Sequence, residues 1–451
     1  MPIACIKNVK TYISALLVIL WFSGCSSTRE GRPLPDYSVG EVPDKQSGTV
    51  LKGAPARLVS QEPFEFKALS LPQAHSLAQV HNPLIRAAQS SKNLARAERI
   101  QAGLWKNPQL EVFSEEVPIN SGGLSQANNM LGIAQTIPFP GKKKMDREIA
   151  DIGVKQSNFY YESVAIQVRQ NVEIAYYQVL GAEKRQSIAE ELLNVAKSLS
   201  ETANKRFNAG ASAAQEGVRA EIEYEMALAK VLDIKREVAA ARRALMNVIG
   251  KQQVEWLPLT DKMLIKTDPV ILTNAKASIL DKHPRLRAAL AAKEGSDVAV
   301  KRAKRERYPD VTFGIAGGRE EIEGQELVEF RISLPLPIID RGQAKISKAF
   351  AESEIAAARL TAVEQALLGE FNQLKIGHHA AMQKVMAYRE RILPKSDEAL
   401  RMVQMGFEEG KFEFIDLLDT QRMAAEARLD YQKSLLDLNE IQARLKALIG
   451  K

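Results

Sequence analysis

No proline occurs between Pro140 and Pro258, and that gap constrains the fold more than any other feature of the chain. Within it Val164, Val168, Val172, Ala175, Val179 and Ala182 recur at steps of four and three. Ile188, Leu192, Val195, Leu199 and Ala203 carry the stripe onward. This is helical periodicity sustained far beyond an ordinary globular helix. The stretch from Gly141 to about Phe207 is therefore predicted as one helix, a rod of roughly 100 Å at about 1.5 Å per residue. Such a rod cannot bury its stripe alone. Two further helical segments, Leu71–Trp105 and Ser212–Ile249, match its length when stacked end to end. One long helix packed antiparallel against two shorter ones is the economical arrangement.

The pattern is written twice. Pro83 in His-Asn-Pro-Leu-Ile-Arg corresponds to Pro284 in Lys-His-Pro-Arg-Leu-Arg, and Pro108 to Pro309. Gly141 pairs with Gly342, and Phe207-x-x-Gly210 with Phe407-x-x-Gly410. Both halves close alike, on Ile249-Gly250-Lys251 and Ile449-Gly450-Lys451. Their last helices share a heptad seam, Ile234, Val238, Ala241, Leu245 and Val248 against Ser434, Leu438, Ile441, Leu445 and Leu448. One unit occupies residues 71–251 and its copy residues 252–451. The second rod, roughly Asp340–Phe407, contains Pro394 where the first has Asn194, so a kink is expected in the second alone.

Each unit has a break before its rod that reads as a β-hairpin, at about 108–138 and about 309–336. Val328, Phe330, Ile332 and Leu334 alternate with Glu329, Arg331 and Ser333, and Val311, Phe313 and Ile315 with Thr312, Gly314 and Ala316. In the first unit, segments 108–117 and 129–138 flank a Ser/Gly/Asn-rich loop, with a less clean pattern. Strands with one apolar and one polar face fit a transmembrane barrel wall; a soluble hairpin laid over the helices has the same periodicity. Four strands are too few to close a barrel, so a wall would need several copies of the chain.

The front of the chain differs. Lys7 and Lys10 precede an apolar run, Tyr12–Phe22, and then Ser23-Gly24-Cys25. Residues 1–24 read as a signal peptide whose apolar run is too short to span a bilayer comfortably. The Ser-Gly-Cys ending resembles a bacterial lipoprotein signal. That resemblance implies lipidation of Cys25 and, with Ser26 rather than aspartate next, sorting to the outer membrane; ordinary signal cleavage is the alternative. Cys5 and Cys25 are the two cysteines, so processing would leave no free thiol and no disulfide. Residues 25–70, rich in Pro, Gly, Ser and charge, read as a lipidated linker. The formal charge of +7 falls to 7 − 2 = +5 without Lys7 and Lys10, and both signs interleave along the helices. A nucleic-acid partner would instead call for a clustered basic stripe.

Certain phrases carry a family resemblance. Ala134-Gln135-Thr136-Ile137-Pro138-Phe139-Pro140-Gly141-Lys142 resembles the strand-to-helix signature of the TolC family of outer-membrane efflux proteins. Arg331-Ile332-Ser333-Leu334-Pro335-Leu336-Pro337, with Asp340-Arg341-Gly342, is similar in the second unit, as are the Phe-x-x-Gly turns and the Leu393-Pro394 step. The resemblance covers roughly residues 65–451. It implies a mostly α fold with a β-barrel part. Three copies would form a twelve-stranded barrel in the outer membrane and a periplasmic tunnel of twelve long helices. It also implies a periplasmic adaptor docking at the turns near Gly210 and Gly410, and an inner-membrane RND-type transporter that supplies the energy. The Phe-Pro-Gly-Lys phrase leans toward the heavy-metal branch, CzcC- or CusC-like.

No P-loop, His-Glu-x-x-His or Gly-x-Ser-x-Gly occurs, and no cofactor is called for. His378, His379, Met382 and Met386 could be drawn as a soft-metal track, but Met at helical spacing is usually core filling, and no metal site is assigned. Lys142–Lys144 with Arg147 lie just inside a helix start, where the dipole disfavours cations. They read as a solvated charge run, or as a contact for lipid headgroups or peptidoglycan. Asp416 and Asp419 stand one turn apart on one helix face, and Glu216 occupies the matching place in the first unit. Carboxylates there stabilise a helix start. The resemblance in addition implies that they line the constricted periplasmic mouth.

The sequence thus predicts a passive, lipid-anchored trimeric exit duct of a tripartite efflux system, with heavy-metal cations as a substrate class. The alternatives are a periplasmic adaptor or structural lipoprotein, a drug-efflux duct, and a type I secretion duct. An adaptor would need lipoyl-like and β-barrel domains, where this chain shows two copies of hairpin plus rod.

Overall fold

The computed structural model describes residues 67–117, 127–210, 213–251, 256–263, 265, 275–319 and 324–450. Cys25, the signal peptide and nearly all of the linker lie outside the described residues. In chain order the elements are α1 (Leu71–His81), α2 (Pro83–Gly103), β1 (Gln109–Glu115), β2 (Asn128–Ile137), α3 (Lys142–Asn208), α4 (Ala214–Ile249), α5 (Ala275–Lys282), α6 (Pro284–Lys304), β3 (Val311–Arg319), β4 (Glu326–Ser333), α7 (Gln343–Ala387), α8 (Leu393–Glu408) and α9 (Phe414–Leu448).

The rod is α3, 67 residues without interruption. Helices α2 and α4 pack on one side of it and α6 and α9 on the other, and α6 and α9 then pack against α7. The result is a helical layer of order α2/α4, α3, α6/α9, α7–α8. The two heptad seams are buried: Ile234, Val238 and Leu245 in the first unit, Ser434, Leu438, Leu445 and Leu448 in the second.

Two helices depart from the expected rods. The segment predicted as one helix over Leu71–Trp105 is two, broken at Asn82, whose backbone is extended (φ −66°, ψ 126°). Proline disfavours helical geometry in the residue before it, yet suits the first turn of a new helix. Asn82 completes the break: its Oδ1 accepts from Leu84 N at 2.8 Å and its Nδ2 donates to the Val248 carbonyl at 2.6 Å. His283 does the same for α6, with Nδ1 accepting from Arg285 N at 3.2 Å. In the second rod the backbone widens into a π-helical turn over Tyr388–Ile392, and Pro394 falls in the first turn of α8. The wider turn accommodates a residue that lacks N–H and crowds the carbonyl four residues back. The first rod runs through Asn194 unbroken.

A four-stranded antiparallel sheet, order β1-β2-β3-β4, caps one end of this layer. The central β2–β3 pairing, with Gly132 opposite Ala316 and Ile133 opposite Ile315, joins the two units into one sheet. Each strand therefore leads into or out of the helix beneath it. At mid-layer the chain before α1 returns to the inter-unit connection. Leu69 bridges Leu259, and the fully buried Tyr176 of α3 sets its hydroxyl 2.9 Å from the Leu69 carbonyl oxygen and 2.7 Å from Asp261 Oδ2. Burial first, and then the bond to Asp261, hold this phenol above its ordinary pKa.

Candidate channel wall and mouth

The register places apolar side chains on one face of the whole sheet. Leu110 and Val112 stand opposite Ile133 and Leu131, Ile133 opposite Ile315, and Ile315 opposite Phe330. These side chains are exposed, Val112 at 76% and Phe330 at 78%. A soluble hairpin covering the helices would bury this face. An exposed apolar face on strands of seven to ten residues suits a bilayer. β4 ends at Ser333, so Leu334 of the expected alternation lies just beyond the strand. No described helix is long and apolar enough to cross a membrane.

The opposite face carries charge and small residues. Arg331 of β4 lies 3.6 Å from Glu111, 3.3 Å from Glu115 and 3.0 Å from Glu329, with its guanidinium 4.3 Å from the Phe113 ring centre. Nothing in the local sequence of β4 announces that it reaches β1.

Below the sheet, the lysine run departs from its expected role at one position. Lys142 is 4% exposed, with Nζ 2.8 Å from Asp310 Oδ1 and 3.9 Å from Glu306. Asp310 also accepts from Phe139 N at 2.9 Å, and Phe139 stacks on Tyr308 with ring centres 4.7 Å apart. Burial pushes the Asp310 carboxyl up, but bonds from Lys142 and the Phe139 amide and the Lys142 charge outweigh it, so its pKa is lowered. Lys142 thus ties the start of α3 to the foot of β3, because β2–β3 pairing brings Asp310 beside it. Arg147 donates to the Gly103 carbonyl at 3.1 Å, and Lys144 is exposed.

At the far end of the helical layer the two Phe-x-x-Gly turns meet. Phe407 and Phe414 lie 6.0 Å apart between ring centres and pack with Ala203, Ala220 and Leu418. Gly210 (φ 73°) and Gly410 (φ 74°) hold left-handed backbone with open space beyond Cα. The second turn has a feature that sequence reading missed: Phe412 folds over Gly406, where a Cβ would lie 2.2 Å from its ring. The pair Gly406 and Phe412, six residues apart across a turn, was the available signal.

The three acidic residues are all at this end. Asp416 and Asp419 are exposed and Glu216 is half-buried. Asp416 closes a capping box, its Oδ2 accepting from Glu413 N at 3.0 Å. The helix-start role is therefore present, and both aspartates remain open to solvent. Arg422 of α9 pairs with Glu223 of α4 at 2.6 Å and ties the starts of these two helices together. His378 lies 3.5 Å from Gln442, and Met382 packs with Val385 and Leu438. No group of three His, Cys, Asp or Glu suited to a metal occurs among the described residues.

The family model for outer membrane efflux proteins matches residues 74–251 and 277–451. The chain belongs to this family. The two matched stretches fall within the two expected repeats, residues 71–251 and 252–451. Among curated relatives, the chain is 23% identical over 391 residues to the cobalt-zinc-cadmium resistance protein CzcC of Cupriavidus metallidurans, covering 85% of this chain and 90% of that one. It is 24% identical over 296 residues to the nickel-cobalt-cadmium resistance protein NccC of Alcaligenes xylosoxydans xylosoxydans, covering 64% and 65%. Among solved structures, the CusC channel superposes with a TM-score of 0.72 at 17% identity, over 87% of this chain and 95% of that one. The fold is that of the outer-membrane efflux channels.

Proposed function

We propose that the protein is the passive outer-membrane exit duct of a tripartite efflux system, working as a homotrimer. The observation that carries this reading is the open slab. β1 and β4 are the outer strands of the sheet, and the helices at the two margins of the layer leave apolar side chains uncovered, among them Ile222, Met226 and Leu232 on α4 and Ile355 and Ile376 on α7. A slab with two different open margins is completed by head-to-tail copies of itself. Three copies make a twelve-stranded wall over a helical tunnel, the arrangement the family resemblance implies.

In this reading Cys25 carries the lipid, a periplasmic adaptor docks at the turns near Gly210 and Gly410, and an inner-membrane RND-type transporter supplies the energy. Asp416 and Asp419, with Glu216, line the periplasmic aperture. The names of CzcC and NccC support divalent heavy-metal cations as the substrate class. Transport, not catalysis, is the activity. The test is native mass spectrometry in detergent followed by planar-bilayer recording. A trimer that conducts is expected; a monodisperse monomer, or a trimer without conductance, refutes the duct. Mass spectrometry of the mature N-terminus decides the lipid, and an unmodified Cys25 ends that part.

A further inference from the structure

Arg331 sits on β4 and its carboxylate partners Glu111 and Glu115 on β1, at opposite margins of the sheet. In a flat sheet, strands three spacings apart are separated by about 14 Å. The observed contacts therefore require the sheet to curl until its margins face each other across the charged side. Small residues line the inside of the curl. A Cβ on Gly132 would lie 2.7 Å from that of Ala316 on the neighbouring strand. A single arginine thus serves three successive inward residues of β1, counting the Phe113 ring beneath it.

A twelve-stranded ring turns only about 30° per strand, which spreads β1 and β4 of one chain apart. The same ring brings β4 to within about 4.8 Å of β1 of the next copy. We infer that Arg331 changes partners on assembly: it holds Glu111 and Glu115 of its own chain in the unassembled subunit and those of the neighbouring copy in the closed ring. The occupant of each margin is a second copy of this chain, chosen by charge complementarity between β4 and β1. The curl also keeps two open strand edges out of reach of foreign strands until a copy arrives. This inference rests on the trimeric reading above.

Gln109→Cys and Ser333→Cys place thiols on the charged face of β1 and β4 without touching the ion cluster. With both in one chain, a short bismaleimide should link them within the chain in subunits trapped before assembly. Arg331→Ala in that background should cut the yield of this link several-fold. With one thiol on each of two differently tagged chains, assembled trimers should give a covalent heterodimer. A trimer in which the doubly substituted chain links only to itself overturns the exchange and leaves the trimer standing. So does an in-chain yield unchanged by Arg331→Ala. A monomer by native mass spectrometry overturns the trimeric reading and the exchange together.

Discussion

Lys142, the first residue of the 67-residue helix, holds its ammonium 2.8 Å from the carboxylate of Asp310, 168 residues later. The pair crosses from one repeat to the other where the sheet gives way to the helical layer. With Lys142 buried, removing its partner leaves a cation that Glu306 at 3.9 Å only partly compensates. Asp310→Ala should destabilise the folded protein by about 2–4 kcal/mol, and Asp310→Asn by less, as read by thermal unfolding in detergent. The sign of the pH effect follows from the lowered carboxyl. Stability from this pair is full above the ordinary aspartate pKa and is lost as pH falls through the folded value. Asp310→Asn should flatten the acid limb.

His283 caps α6 through a neutral Nδ1, and burial first, then Arg285, lower its pKa to about 4. Protonation destroys the acceptor. The stability this cap contributes is complete above the ordinary histidine value near 6.5 and disappears as pH falls toward about 4. A loss on the order of 3 kcal/mol is expected across that window. The first repeat supplies the control, because Asn82 fills the same place without titrating. His283→Asn should keep the cap and remove the pH dependence; melting curves at a series of pH values between 4 and 7 check it.

At the second turn, Gly406→Ala should displace the exposed Phe412 ring, which its methyl would otherwise meet. Gly410→Ala meets open space and bears only the left-handed backbone penalty, about 1 kcal/mol. The double variant Gly406→Ala/Phe412→Ala should be less damaged than the sum of its parts, since the clash is gone. Chemical denaturation of the four proteins measures the coupling.

Three copies of Asp416 and Asp419 around one axis would set six carboxylates at the aperture. Unit charges about 6 Å apart repel by roughly 0.7 kcal/mol in water and more in a desolvated constriction, so multivalent cations should block from this side. Replacing both residues by Ala should relieve the block while trimers persist, at a cost of about 1 kcal/mol for the lost capping box. Equal block of parent and variant in single-channel recordings would show that these aspartates do not form the aperture.

What could be read from the chain was what repeats locally. The stripe from Val164 to Ala203, the alternation through Phe330 and the paired Phe-x-x-Gly turns each declare their element within a few residues. The break at Asn82 was also written, in the proline that follows it. Lys142 could not be recognised as buried, because its partner Asp310 comes alongside only after β2 pairs with β3. Arg331 is a stronger case. Its reach depends on how tightly a sheet curls, a property of four strands together that no one of them records.

The two rods are built from the same plan but are not mechanically equal. α3 is a single continuous spar, whereas its counterpart is spliced at Tyr388–Ile392, where the backbone ladder changes its pairing interval and a proline removes one rung. Changes of helix direction concentrate at such π-turns and prolines. The departure from regular helical pairing therefore falls on one side of the chain only. One duplication has thus left one uninterrupted rod and one whose pairing changes just before Pro394.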